Sequence, residues 1–161
     1  MSKSARWFAA AAAIVLLDQL TKWLVLARFA PGERLELTSF FNMVLVFNKG
    51  AAFSFLAAAP GWQTPLLAAF ALGAALVVSV LLLRSPERRM LCAGLALILG
   101  GAVGNLVDRL RFGQMVDFLD FHAGGWHWPA FNVADSAITV GAVLLILDGL
   151  RKHERRAGAP S

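Results

Sequence analysis

The sequence predicts a polytopic membrane protein with an all-α core of four spans and a small β element outside the bilayer. Three observations carry that prediction. The chain is 58% hydrophobic and only 16% charged, where a soluble domain carries about 25% charged residues. The apolar residues fall in blocks, four of which approach the roughly 20 residues that a helix needs to cross hydrocarbon about 30 Å thick. Lys and Arg cluster at alternate ends of those blocks. With 161 residues, the chain suits one integral membrane domain over 1–161.

The first span is expected at about 7–27. Lys3 and Arg6 precede its apolar run, as in a secretory leader, but Asp18 and Lys22 interrupt the run and no convincing small-residue cleavage site follows. An uncleaved span is the better reading. The stretch RLELTSFFNMVLVFN after it is rich in β-branched and aromatic residues with partial alternation. It reads as one or two short strands in an extramembrane sheet. The second span is expected at about 66–83 and the third at about 91–107, separated by RSPERR. The second outer connection carries MVDFLDF and the aromatic FLDFHAGGWHWPAF, with a Gly-Gly turn. Trp126, Trp128 and Phe131 suit a membrane interface. The fourth span is expected at about 134–150.

Orientation follows from the basic residues. Lys3 and Arg6, then Arg84, Arg88 and Arg89, then Arg151, Lys152, Arg155 and Arg156 all fall on one side of a four-span chain. That side is predicted to be the cytoplasm, with both termini inside. The net charge of +5 is accounted for by this topology, and nucleic acid is not an expected partner. The single cysteine, Cys92, excludes an internal disulfide and a multi-thiolate zinc site.

Ionisable groups in or beside spans are functional candidates. Asp18 and Lys22 stand four apart on one helix face, spacing that serves an ion pair or a direct substrate role, with Lys22 also able to snorkel outward. Asn48 and Gly50 follow the strands as a polar turn, or as a group that holds a peptide or a neighbouring side chain. Gly100 and Gly104 offer a small-residue face to another helix. Asn105, Asp108 and Arg109 share the face of the turn that follows. An Asp108–Arg109 interface pair is the plain structural reading there, whereas Asn105 needs partners. If MVDFLDF is extended, Asp117 and Asp120 face opposite sides, and Val116 and Phe118 desolvate Asp117. In FNVADSA, Asn132 is a good N-cap and Asp135 completes a capping box. Taken alone, this segment favours a cap over a working group.

Asp117 and Asp135 bracket the second outer loop, which returns the chain to the membrane edge. Two adjacent carboxylates tend to share one proton. The ionised one deprotonates water while the protonated one donates to a carbonyl oxygen, which is amide hydrolysis without metal or cofactor. Asp117 is expected to hold the proton, because the helix terminus favours ionised Asp135. His122 and His127 lack helical metal-ligand spacing, no zinc-protease helix motif occurs, and Ser39, Ser54 and Ser136 have no persuasive histidine partner. Two other readings remain: a small transporter or channel subunit with polar residues along a path, and an assembly factor whose aspartates are caps or ion pairs.

Five motifs in order, DQLTK at 18–22, NKGAAF at 48–53, GGAVGNLVDR at 100–109, VDF at 116–118 and FNVAD at 131–135, jointly resemble the lipoprotein signal peptidase family, the type II signal peptidases of bacteria. Each motif is short, but the ordered set is specific. HAGGWHW and the C-terminal tail match no motif. The resemblance implies an intramembrane aspartyl endopeptidase of the bacterial inner membrane, with four helices and an extramembrane β-cradle, placed here at about 34–59. It implies cleavage of diacylglyceryl-modified prolipoproteins N-terminal to the lipidated cysteine, near the outer membrane surface. Asp117 and Asp135 would be the catalytic dyad. Asn48, Asn105 and Arg109 would contact substrate, with Asn132 beside them supporting the dyad. Asp18, Lys22 and Asp108 would be supporting polar residues. Membrane lipids are implied partners, and a globomycin-type cyclic peptide is an implied inhibitor.

Overall fold

The computed structural model describes residues 2–50 and 61–157, with side chains as far as residue 152. It contains α1 (Lys3–Leu26), β1 (Arg34–Thr38), β2 (Phe41–Asn48), α2 (Gln63–Arg84), α3 (Arg89–Phe112), β3 (Met115–Ala123), β4 (Trp126–His127) and α4 (Val133–Ala157). All four helices are long and apolar enough to cross a membrane. That is the physical consequence of long apolar blocks, since backbone groups in hydrocarbon must be satisfied within the segment.

α3 packs against each of the other three helices. Its glycines explain how. A Cβ at Gly100 would lie 2.6 Å from Ile14 Cβ on α1, and one at Gly101 would lie 2.3 Å from the Ala134 carbonyl oxygen on α4. Gly94 and Gly141 meet face to face, each leaving no room for a Cβ on the other. Between helices in lipid, close van der Waals packing replaces the hydrophobic drive, so small residues set the crossings. Gly100 and Gly104 therefore receive α1, while Gly94, Gly101 and Gly141 make the α3–α4 contact. Ala11, Ala75, Val78, Leu82, Cys92, Leu95 and Leu99 fill one end of the bundle. Cys92 is a buried small residue of this core, its thiol against the Ser85 carbonyl. Large apolar side chains such as Leu16, Trp23, Leu76, Val143 and Ile146 face outward, the composition of a lipid-facing surface.

α3 is longer than expected, running to Phe112 rather than about Val107, so NLVDRLR is wholly helical. Gly113 ends it with φ 69°, a left-handed conformation that glycine adopts without a Cβ penalty. α1 and α2 start earlier than expected, at Lys3 and Gln63, and α4 continues past residue 150. The charged flanks extend the helices beyond their apolar blocks.

The strands form one antiparallel sheet in the order β1-β2-β3-β4. Among the described residues, the first outer connection supplies β1 and β2 and the second supplies β3 and β4. Residues 51–59 of the expected cradle, with the Ala51–Phe53 part of its motif, lie outside the described residues. Gly124 and Gly125, at φ 58° and 83°, form the two-residue turn between β3 and β4, where positive φ matches strand twist. Val25, Leu45, Val116 and Phe118 make a second core that seats the sheet on the end of α1.

Candidate active site

The register of β2 with β3 sets opposite Val46 the residue Asp117, and opposite Asn42 the residue Asp120. Both aspartates are buried, at 1% and 4% exposure, but in different company. Asp120 accepts from Asn42 Nδ2 at 2.9 Å and meets His127 Nδ1 at 2.9 Å, with Arg34 at 3.8 Å. Asp117 instead accepts from Asn132 Nδ2 at 2.7 Å on one oxygen and from Asn48 Nδ2 at 3.0 Å on the other.

Asn132 is the hinge of the site. Its Oδ1 accepts the Asp135 N–H at 3.0 Å, and Asp135 Oδ2 accepts the Asn132 N–H at 3.3 Å. This reciprocal pair is the capping box read from the sequence. The Asn132 amide nitrogen meanwhile reaches Asp117. Asp135 Oδ1 accepts from Asn105 Nδ2 at 2.7 Å. The cap at α4 and the approach of the two aspartates are therefore one arrangement.

Lys22 does not snorkel. It turns inward at 2% exposure, and its Nζ lies 2.8 Å from Asp18, 2.7 Å from Asp108 and 3.2 Å from Asn105 Oδ1. All three ammonium donors are used. Asp108 thus pairs with Lys22, not with Arg109 as the plain reading of that helical turn had it. Arg109 donates to the carbonyls of Asn105 and Gly50, at 3.4 and 3.2 Å. Sequence reasoning passed over Gln19, whose amide donates to Asp108 at 2.9 Å, to Asp18 at 3.2 Å and to the Gly104 carbonyl at 3.2 Å. An amide inside a span, adjacent to Asp18, was the available signal. Asn48 also donates to Asp117 while its Oδ1 accepts the Gly50 N–H at 2.9 Å, so it both forms a turn and holds a side chain.

A cleft of about 670 Å³ opens beside these groups. Asp135, Asn105, Asn48 and Arg109 line its polar end, and Phe70, Ala74, Ala102, Ile138 and Val140 line its apolar part. Asp135 is half-buried at the cleft wall, whereas Asp117 is enclosed behind it. An aromatic basin lined by Phe40, Phe121, Trp126 and Trp128 adjoins the cleft, sharing Trp128 and Phe131 with it, and contains none of these carboxylates.

Burial, followed by the nearby Asp135 charge, pushes Asp117 up to about 7, against the opposing pull of Asn48, Asn132 and Lys22. Asp120 goes the other way. Burial would raise it, but hydrogen bonds from Asn42 and His127 outweigh that and hold it below its ordinary value. His122 and His127 pair across the hairpin and stack at 4.9 Å. Among the described residues no group of three His, Cys, Asp or Glu side chains is placed to hold a metal ion. The site thus offers two carboxylates bridged by Asn132, one of them raised by burial, beside an apolar cleft.

The signal peptidase (SPase) II family matches residues 10–151. The lipoprotein signal peptidase of Paraburkholderia phytofirmans is 59% identical over 148 residues, covering 92% of this chain and 86% of that protein. That of Burkholderia vietnamiensis is 57% identical, covering 92% and 89%, and that of a Janthinobacterium species is 56% identical, covering 91% and 88%. A solved bacterial membrane enzyme at 24% identity shares the fold with a TM-score of 0.85 over 98% of this chain and 94% of that one. A second, at 26% identity, has a TM-score of 0.77 over 89% and 91%.

Proposed function

The chain belongs to the signal peptidase II family and is a membrane protease that removes signal peptides from prolipoproteins; on that premise we propose that Asp117 and Asp135 are its catalytic dyad. The observation that carries this reading is the Asn132 bridge, which caps Asp135 with one side-chain atom and binds Asp117 with the other. The transporter reading and the assembly-factor reading give way to the family.

In the proposed reaction, ionised Asp135 at the cleft wall takes a proton from water as the water oxygen attacks the scissile carbonyl carbon. Protonated Asp117 donates its proton to the carbonyl oxygen, giving a neutral tetrahedral diol. As the C–N bond breaks, Asp135 returns its proton to the leaving nitrogen and Asp117 regains one from a diol hydroxyl. The products are a carboxylic acid and an amine, and the dyad is restored. Its burial supports Asp117 as the proton holder, since desolvation disfavours its charged form.

The substrate we assign is a diacylglyceryl-modified prolipoprotein cut N-terminal to the lipidated cysteine. The apolar part of the cleft suits acyl chains and signal peptide, and Arg109, Asn105 and Asn48 stand where peptide carbonyls would pass, with Asn132 behind them. Membrane lipids would cover the outward apolar faces of the helices. The same cleft suits a globomycin-type cyclic peptide. The basic clusters support cytoplasmic termini, in the inner membrane of a bacterium, with the dyad toward the outer surface. The whole chain, 1–161, acts as one domain in this reading.

The test is cleavage of a lipid-modified prolipoprotein by purified Asp117→Asn and Asp135→Asn. Both are expected to fold and to lose turnover, and near-normal turnover in either would remove that residue from the dyad.

A further inference from the structure

The residue just before each proposed catalytic aspartate has its backbone N–H held by a carboxylate of the buried ion cluster. Asp108 Oδ2 accepts from Val116 N at 3.1 Å, and Asp18 Oδ1 accepts from Ala134 N at 2.9 Å. Ala134 sits in the first turn of α4, where N–H groups have no intrahelical partner. Asn132 Oδ1 takes one of these and Asp18 takes the next. The two carboxylates are joined by Lys22, which also binds Asn105 Oδ1, and Asn105 passes a hydrogen bond to Asp135. Gln19 donates to both carboxylates as well.

Two parallel paths therefore run from one ammonium group on α1 to the backbone beside Asp117 and beside Asp135. We infer that Lys22, Asp18 and Asp108 are positioning residues that fix the separation of the two aspartates and set the electrostatic field in which the dyad shares its proton. A buried ion cluster is costly to assemble and is weak evidence for stability. Its placement accounts for it, since it grips β3 and α4 at the two points from which the aspartates project. Lys22 is also the nearby cation whose field opposes the rise in Asp117.

The inference rests on the dyad reading and is tested apart from it. The charged groups around the proposed dyad are Asp18 and Lys22 from α1 and Asp108 and Arg109 from α3, with the neutral Asn48 amide on β2. The experiment measures kcat and KM against pH for the full-length protein cleaving a lipid-modified prolipoprotein. Lys22→Met removes the cation, so the alkaline limb of the profile should move to higher pH. Asp108→Asn removes an anion but keeps an oxygen for the Val116 N–H, so the limb should move to lower pH. Lys22→Met should lose roughly 10- to 100-fold in kcat, as for a misplaced reacting group, with KM little changed. Asp108→Asn should lose less, and Lys22→Arg should restore the limb toward its original position.

A merely structural cluster would lower the amount of active enzyme without moving the two limbs in opposite directions. Limbs that stay put, or move together, in folded variants whose Asp117→Asn and Asp135→Asn counterparts are inactive would overturn this inference alone. Turnover by those counterparts would overturn both readings. Should Lys22→Met not accumulate as folded protein, Asp108→Asn decides, and an alkaline limb that is unmoved or higher refutes the inference.

Discussion

Asn132 donates its side-chain amide to Asp117 Oδ1 at 2.7 Å, and with a 3.3 Å bond from the same nitrogen to the Val116 carbonyl it ties the start of α4 to β3. Because the same side chain caps α4 through its oxygen, the two aspartates are positioned by opposite ends of one amide. Asn132→Leu should therefore cost both stability and rate. Loss of the cap is worth about 1 kcal/mol, and loosened geometry of the proposed dyad about 10- to 100-fold in kcat. Thermal unfolding in detergent and single-turnover cleavage check the two separately. Asn132→Asp keeps the cap acceptor but sets an oxygen against the Asp117, Asn105 and Val116 oxygens, so it should recover neither the stability nor the rate.

The raised Asp117 carboxyl has a stability signature. Its folded value is about 7, against an ordinary 3.8. The unfolded chain thus loses its proton first, and the folded state is progressively penalised as pH rises from near 4 to near 7. Above that window the penalty is constant, on the order of 4 kcal/mol. Asp117→Asn carries no such penalty. It should melt higher than the parent at pH 8, with the difference shrinking as pH falls toward 4. A pH-independent difference would contradict the assigned burial cost.

Activity should follow the same proton. Above about pH 7 Asp117 loses the hydrogen that the proposed reaction has it donate to the carbonyl oxygen, so kcat should fall on that side. A plateau in kcat extending to pH 9 would count against Asp117 as the acid.

The other carboxylate of VDFLDF separates structure from chemistry. Asp120 is held below its ordinary value by Asn42 and His127, so it contributes stability at neutral pH that is lost as pH falls through its lowered value. Asp120→Asn should lower the melting temperature near pH 7 and leave kcat close to normal. A collapse of turnover in folded Asp120→Asn would mean the sheet register has been misassigned a role.

The helix crossing makes a steric prediction. Gly101→Ala places a Cβ against the Ala134 carbonyl oxygen, next to Asp135, whereas a Cβ at Gly73 on α2 meets nothing within 4 Å. Gly101→Ala should destabilise by about 1–3 kcal/mol and lower kcat by displacing α4. Gly73→Ala should be neutral in both measurements, by unfolding in detergent and by cleavage assay.

The sequence by itself determined the four helices, because an apolar block in hydrocarbon has no other way to satisfy its backbone. It also determined the cap at Asn132 and Asp135, which needs only residues three apart, and the ordered motifs that carry the family resemblance. The tertiary structure alone decided the partners. Asp18 meets the Ala134 N–H across 116 positions, and Lys22 meets Asn105 across 83. Such pairs depend on how each helix is rotated about its axis, which glycine contacts far along the chain set. They depend equally on a strand register in which a one-residue slip would exchange the faces of β3. Whether Lys22 turned out to lipid headgroups or in to Asp108, and whether Asp117 or Asp120 faced Asn132, were decided there and not by local pattern.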